Sequence, residues 1–202
     1  MGQETLCKAE YGNKVSTGKA YLETDNILFR GDFRLSIPTK DIKSVSSTAG
    51  QLIVKFSGGV AKFELGALAD KWAHKLLNPK SLVDKLGIKA DSTIAVIGVN
   101  DPAFLKQLNT TNKAVVTSRA RADTDIIVLA INTLKDFEKL KTHKKYIKKN
   151  GAIWAVIPKG NPSLNATHLI ASGKSAGLTD NKVARFSETH TAYRFVIPLS
   201  SR

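Results

Sequence analysis

Two folds in tandem are predicted: an α+β module of seven short strands curled into a barrel and closed by one helix, then an α/β domain. Three observations predict them. Apolar and polar residues alternate in short runs, broken by turn residues, through about the first 65 positions. The period then changes from 2 to about 3.6 after Gly66. Beyond Pro79, continuous apolar runs alternate with helical patterns, as in a mostly parallel sheet covered by helices.

The strands follow in order. Residues 5–11 form the first, ended by Gly12-Asn13, and residues 19–23 the second, ended by Asp25-Asn26. Residues 27–30 form the third. In the fourth, Phe33, Leu35 and Ile37 alternate with polar neighbours until Pro38, which has no N–H to give a central ladder. Residues 42–47, 51–56 and 60–65 complete the set, the last two joined by Ser57-Gly58-Gly59, where glycine supplies the positive φ of a tight hairpin. Leu68, Trp72 and Leu76, with Ala69 and Ala73, line one helical stripe that Asn78-Pro79 stops. Seven strands and a closing helix resemble the pleckstrin-homology-like barrel over about residues 4–78. The resemblance implies a binding module with Trp72 as the plug, and leaves the ligand open.

The boundary falls at residues 78–81, which divides the chain into 1–79 and 80–202. A short helix at 83–86 ends at Gly87. The run 93–98 is a buried strand, and Asp101-Pro102 opens a helix through Phe104, Leu105 and Leu108 as N-cap and first-turn proline. Residues 113–117 and 125–131 form the second and third strands. A long helix is predicted over 133–150, with Leu134, Phe137, Leu140 and Ile147 inward and Gly151 as its C-terminal cap. A strand at 152–157, a helix at 164–176 and a hairpin of 182–188 with 192–199 finish the chain. This order resembles the plan of a methyltransferase-like Rossmann sheet with fewer elements.

Composition bounds the function. The chain has 202 residues, 42% of them hydrophobic, which is ordinary for a folded protein. It shows no run of the roughly 20 apolar residues a membrane helix needs and no secretory signal pattern, and Cys7 is its single cysteine. The expected location is the cytoplasm. The net charge of +14 is uneven: residues 1–79 hold 11 Lys and Arg against 8 Asp and Glu, residues 80–202 hold 20 against 9. The second half therefore carries the field that attracts nucleotides, nucleic acid or acidic protein.

Ligands of an open α/β sheet sit beyond the C-terminal strand ends. Arg119 and Arg121 follow the second strand and are expected on one edge with Asn100, Asn132 and Lys159, two guanidinium groups standing where a ribose-holding acid would be. The loop after the first strand, Gly98-Val99-Asn100-Asp101-Pro102, has a single glycine, too few for close backbone approach to an adenosyl cofactor. No cofactor is predicted. His74, His143, His168 and His190 show no metal-ligand spacing, so no metal is predicted either. Glu188-Thr189-His190 could seat an acid beside a base, but polar residues are also what a hairpin turn carries. Lys135, Lys139, Lys141, Lys144, Lys145, Lys148 and Lys149 make a basic helix face, either solvated or in contact with a phosphate backbone.

Lys85-Leu86-Gly87-Ile88-Lys89, the 94–98 strand, residues 151–159 ending in Pro158-Lys159, residues 176–183 and Tyr193-Arg194-Phe195-Val196 resemble an uncharacterised family of small bacterial α/β proteins. That resemblance spans about residues 82–198. It implies a degenerate methyltransferase-like core and a bacterial source, and it brings no catalytic residues. The sequence thus points to a non-enzymatic binding or adaptor protein for an anionic partner. The alternatives are a divergent transferase using S-adenosylmethionine or a nucleotide, and an oligomeric scaffold pairing through barrel edges or residues 192–199.

Overall fold

The computed structural model describes residues 2–111 and 116–202. The chain divides into two units, Met1–Pro79 and Lys80–Arg202.

In the first unit, alternation carries seven antiparallel strands: β1 (Gln3–Tyr11), β2 (Lys14–Leu22), β3 (Asn26–Arg30), β4 (Arg34–Pro38), β5 (Ile42–Thr48), β6 (Gln51–Phe56) and β7 (Gly59–Glu64). Their order is β4-β3-β2-β1-β7-β6-β5. Strand β1 curls the sheet, because it pairs along its whole length with β2 and through Lys8–Tyr11 with β7. The second strand begins at Lys14 rather than residue 19, since the Gly12 turn, with φ of 57°, lets the chain reverse at once. Helix α1 (Leu68–Leu77) lays Ala69, Trp72 and Ala73 on this sheet. Trp72 is fully buried with Phe29, Phe63, Ile27, Ile37 and Leu52.

The second unit holds a mixed six-stranded sheet. Its elements are α2 (Leu82–Leu86), β8 (Ile94–Ile97), α3 (Pro102–Thr111), β9 (Val116–Thr117), β10 (Thr124–Ala130), a 3-10 turn (Leu134–Glu138), α4 (Lys139–Lys144), β11 (Ile147–Pro158), α5 (Ala166–Ser175), β12 (Thr179–Arg185) and β13 (His190–Val196). The order is β12-β13-β11-β10-β8-β9, with β8 to β11 mutually parallel and β13 antiparallel to both neighbours. The strand expected at 113–117 is seen as Val116–Thr117, and its earlier residues lie outside those described.

Each central strand is apolar on both sides, so helices cover both faces. Val83, Leu86, Phe104 and Leu108 pack on one face against Val96, Val128 and Trp154. Leu140, Leu169 and Phe137 pack on the other against Ala95, Ile127, Leu129, Ile153 and Phe195. The buried Trp154 Nε1–H donates to the Leu86 carbonyl at 2.8 Å, which ties α2 to the sheet.

The long helix expected over 133–150 is absent. A 3-10 turn and the six-residue α4 stand in its place, and Ile147 opens β11 by pairing with Thr124. Lysines at 141 and 145, and at 145 and 149, repel at helical i,i+4 spacing, while Tyr146 and Ile147 suit a strand. Gly151 is not a cap but a strand residue in a β-bulge, where a Cβ would stand 2.9 Å from the Asp125 carbonyl oxygen. The hairpin also shifts, to Thr179–Arg185 with His190–Val196. Strand β13 is paired on both sides, so of the expected 192–199 strand residues 192–196 have no edge to offer another chain, and 197–199 lie beyond the strand.

Helix α5 approaches β13 closely enough that a Cβ on Gly173 would meet the Phe195 ring. Gly173→Ala is expected to destabilise the second unit by about 1–3 kcal/mol. Urea unfolding should show a lower midpoint at unchanged slope, and Phe195→Leu in the same chain should restore part of the loss.

Candidate functional site

After β8 the chain crosses to α3 on one face, and after β10 it crosses to the 3-10 turn and α4 on the other. Neighbouring strands whose connections leave in opposite directions open a crevice at their C-terminal ends. It is present here, with a volume of about 380 Å³. One wall is the loop from Gly98 to Pro102, the floor is Ala130, Asn132 and Val156, and the far wall is Phe186, Ser187, Thr189 and His190 from the β12–β13 turn.

The local chemistry of each wall is readable. Gly98 has φ of 69°, and its Cβ position lies 3.4 Å from the Ala130 Cβ, so this glycine serves the turn and faces the next strand. The Asp101 carboxylate accepts the Phe104 N–H at 2.9 Å and so caps α3. The loop after β10 is held by Asp136, whose carboxylate accepts the N–H groups of Asn132 and Thr133 at 2.9 and 2.8 Å and the Lys139 ammonium at 2.6 Å. Burial pushes the Asp136 carboxyl up, but these hydrogen bonds outweigh it and hold the group at about 2.

Of the residues expected together, the structure brings Asn100 and Asn132 into the crevice. Lys159 stands beside it with a different task. Its ammonium donates to the Ser187 and Glu188 carbonyls at 2.9 and 3.0 Å and its N–H to the Thr189 carbonyl at 2.8 Å, which fastens the β12–β13 turn to the end of β11. Arg121 lies at the opposite edge of the sheet. Its N–H and carbonyl bond the hydroxyl of Thr124, the first residue of β10, whereas Asn132 follows the last. At ~3.3 Å per residue the strand separates them by roughly 20 Å. Arg119 is exposed in the same connection and does not line the crevice. The reason is β9: it pairs with the first two residues of β8, so the chain leaving it reaches the lower rim of β10 after six residues.

The crevice is therefore not the electropositive one expected. Among the described residues no lysine or arginine lines it, and its one carboxylate, Asp101, serves as a helix cap. Its polar groups are amides, hydroxyls and one imidazole. His190 is half-buried, with Nδ1 at 2.9 Å from the Thr189 hydroxyl and 3.5 Å from the Ser187 hydroxyl. Glu188 turns away to pair with Arg185. The 187–190 segment reads in sequence as ordinary turn polarity; what makes it a wall is the pairing of Pro158 with His190.

Outside the crevice, Cys7 is buried, and burial together with the Glu64 carboxylate pushes its thiol up to about 11, so it stays protonated at neutral pH. An open groove of about 600 Å³ lies in the first unit between the β1–β2 and β6–β7 turns, bordered by Tyr11, Lys14 and Lys62. No helix among the described residues is long and apolar enough to cross a membrane.

No family model matches the chain, and no curated protein matches it. Solved structures are similar in outline. An S-adenosylmethionine-dependent O-methyltransferase from Thermotoga maritima is 10% identical with a TM-score of 0.45, covering 87% of this chain and 94% of its own. A TehB-like S-adenosylmethionine-dependent methyltransferase from Corynebacterium glutamicum is 14% identical with a TM-score of 0.40, covering 64% and 96%. An O-methyltransferase of neocarzinostatin biosynthesis is 12% identical with a TM-score of 0.48, covering 65% and 58%.

The lowered Asp136 gives a pH signature. A carboxylate held below its ordinary 3.8 contributes stability that is fully present above that value and is lost as pH falls toward 2. Acid unfolding of Asp136→Asn should lack this part of the decline, and the variant should be less stable than the parent at pH 7.

Proposed function

We propose that the second unit is a small-molecule-binding domain of methyltransferase-like Rossmann plan whose crevice takes an uncharged, nucleoside-sized ligand. We also propose that the first unit is a pleckstrin-homology-like barrel joined to it as a second binding module. One observation carries the reading of the crevice: it sits where the strand order reverses, and its lining has no lysine or arginine among the described residues and is rich in hydrogen-bonding groups.

The chemistry follows from the lining. Asn100 and Asn132 each offer a donor and an acceptor, which suits ring nitrogens and sugar hydroxyls. Val99, Val156 and Phe186 supply apolar surface for a ring. A volume of about 380 Å³ lies within the usual range of small-ligand sites. Nothing on the walls would repay the desolvation of a phosphate, because the crevice has no cation among the described residues. The anionic-partner reading loses its support at this edge, since Arg121 is elsewhere and Lys159 is engaged with carbonyls.

A divergent transferase using S-adenosylmethionine or a nucleotide is the second reading. The sheet order and the position of His190 favour it. Against it stand the single glycine of the first loop, which faces Ala130, and the capping role of Asp101, which leaves no acid placed to grip a ribose. The lining fits the adenosine part of such a cofactor better than its charged amino-acid part.

Calorimetry separates these readings. Adenosine is expected to bind, with ATP no tighter, and Asn132→Ala or His190→Ala should each weaken adenosine by roughly five- to tenfold, the equivalent of about one hydrogen bond. S-adenosylmethionine binding much more tightly than adenosine would favour the transferase. No binding of any nucleoside at millimolar concentration, or ATP binding more tightly than adenosine, would sink the proposal.

A further inference from the structure

The positive charge absent from the crevice is concentrated on the helical face formed by α4 and α5. Lys141 of α4, Lys145 at its C-cap, Lys174 of α5 and Lys135 of the adjoining 3-10 turn are exposed and Lys144 is half-buried, and none has a carboxylate partner among the described residues. Two neighbours are already committed, Lys139 to Asp136 and Lys148 to Asp125, at 2.6 and 2.7 Å. Apart from Asp136, the acid on these segments is Glu138; α4 and α5 carry none.

The three segments form one surface. The Ser172 hydroxyl of α5 donates to the Phe137 carbonyl of the 3-10 turn, and the Lys144 ammonium reaches from α4 to the end of α5, where it would stand 2.6 Å from a Cβ on Gly177. Lys145 lies over the Tyr146 ring at 5.1 Å, so a stacking-capable aromatic sits within the charge.

We propose that this face binds nucleic acid through its phosphate backbone, without reading base sequence. Three features choose nucleic acid over other anions. Leu134, 57% exposed, is the one large apolar residue exposed on these segments, so the face lacks the anchors of an interfacial membrane helix. Residues 122–184 contain no arginine, and the arginine and buried aromatic hot spots of a protein interface are missing with it. Lysine alone gives point-charge contacts, which hold phosphates and do not discriminate bases. The repulsion between Lys141 of α4 and Lys145 at its C-cap is relieved when phosphates lie between them.

The full chain is titrated against a short labelled duplex of arbitrary sequence, by fluorescence anisotropy, at several salt concentrations. Binding at low salt should weaken with a log–log slope of roughly −3 or steeper, at about −0.9 per phosphate contact. The combined Lys141→Gln, Lys145→Gln and Lys174→Gln variant should weaken binding more than tenfold at low salt and flatten the slope by about 2 to 3. Lys8→Gln, Lys19→Gln and Lys62→Gln together, in the first unit, should change neither. Adenosine affinity should be untouched by either set, which separates this surface from the crevice. The proposal is overturned if the duplex does not bind at low salt, or if the slope is the same in the triple-lysine variant of the α4/α5 face. Tighter binding to phosphatidylserine vesicles or to polyglutamate than to the duplex would overturn it as well.

Discussion

The second unit is organised by a single reversal. Strands β8 and β10 lie side by side and run the same way, but the chain leaves one toward α3 and the other toward α4. Two connections departing to opposite faces cannot cover the strand ends between them, so the gap is a consequence of topology. The apolar central strands follow from the same arrangement, because a sheet with helices on both faces must be dry on both sides, and Ile94, Ile127, Val128 and Trp154 are fully buried. The crevice is the part of that sheet no helix can reach.

Charge around the crevice is spent on structure. Lys159 gives its ammonium to two carbonyls of the β12–β13 turn, and Asp136 collects two backbone N–H groups and an ammonium at the exit of β10. Both therefore rigidify the walls without lining the crevice. Lys135, Lys141, Lys145 and Lys174 stand on the α4/α5 face and its adjoining turn instead. The crevice, without lysine or arginine among the described residues, and the basic face are different surfaces, proposed for a compact uncharged ligand and an extended anion respectively.

Much of the fold was legible because its signals are local. Period-2 alternation located all seven strands of the first unit, Gly87 at φ of 75° ends α2, and Asp101 caps α3. The long helix over 133–150 was misread because Leu134, Phe137, Leu140 and Ile147 keep helical spacing while their partners do not: Leu140 packs under α4, Ile147 pairs with Thr124, and Leu134 is exposed. That distinction depends on contacts far apart in the chain. The site was half legible for the same reason. Asn100 and Asn132 follow strands whose direction is evident from sequence, whereas Arg121 follows β9, whose register with β8 decides which rim it reaches. Ser187, Thr189 and His190 become a wall through the antiparallel insertion of β13, which no local pattern announces.

The central claim is that the switch-point crevice is open and receptive to an uncharged ring-bearing ligand. His190 reports on it directly, since its imidazole lines the far wall and is anchored by Thr189. The decisive measurement is the proton NMR signal of the His190 ring while adenosine, and separately inorganic triphosphate, is added to the full chain. A saturable shift with adenosine and none with triphosphate is predicted. A shift with triphosphate, or no response to adenosine up to its solubility, would contradict the account.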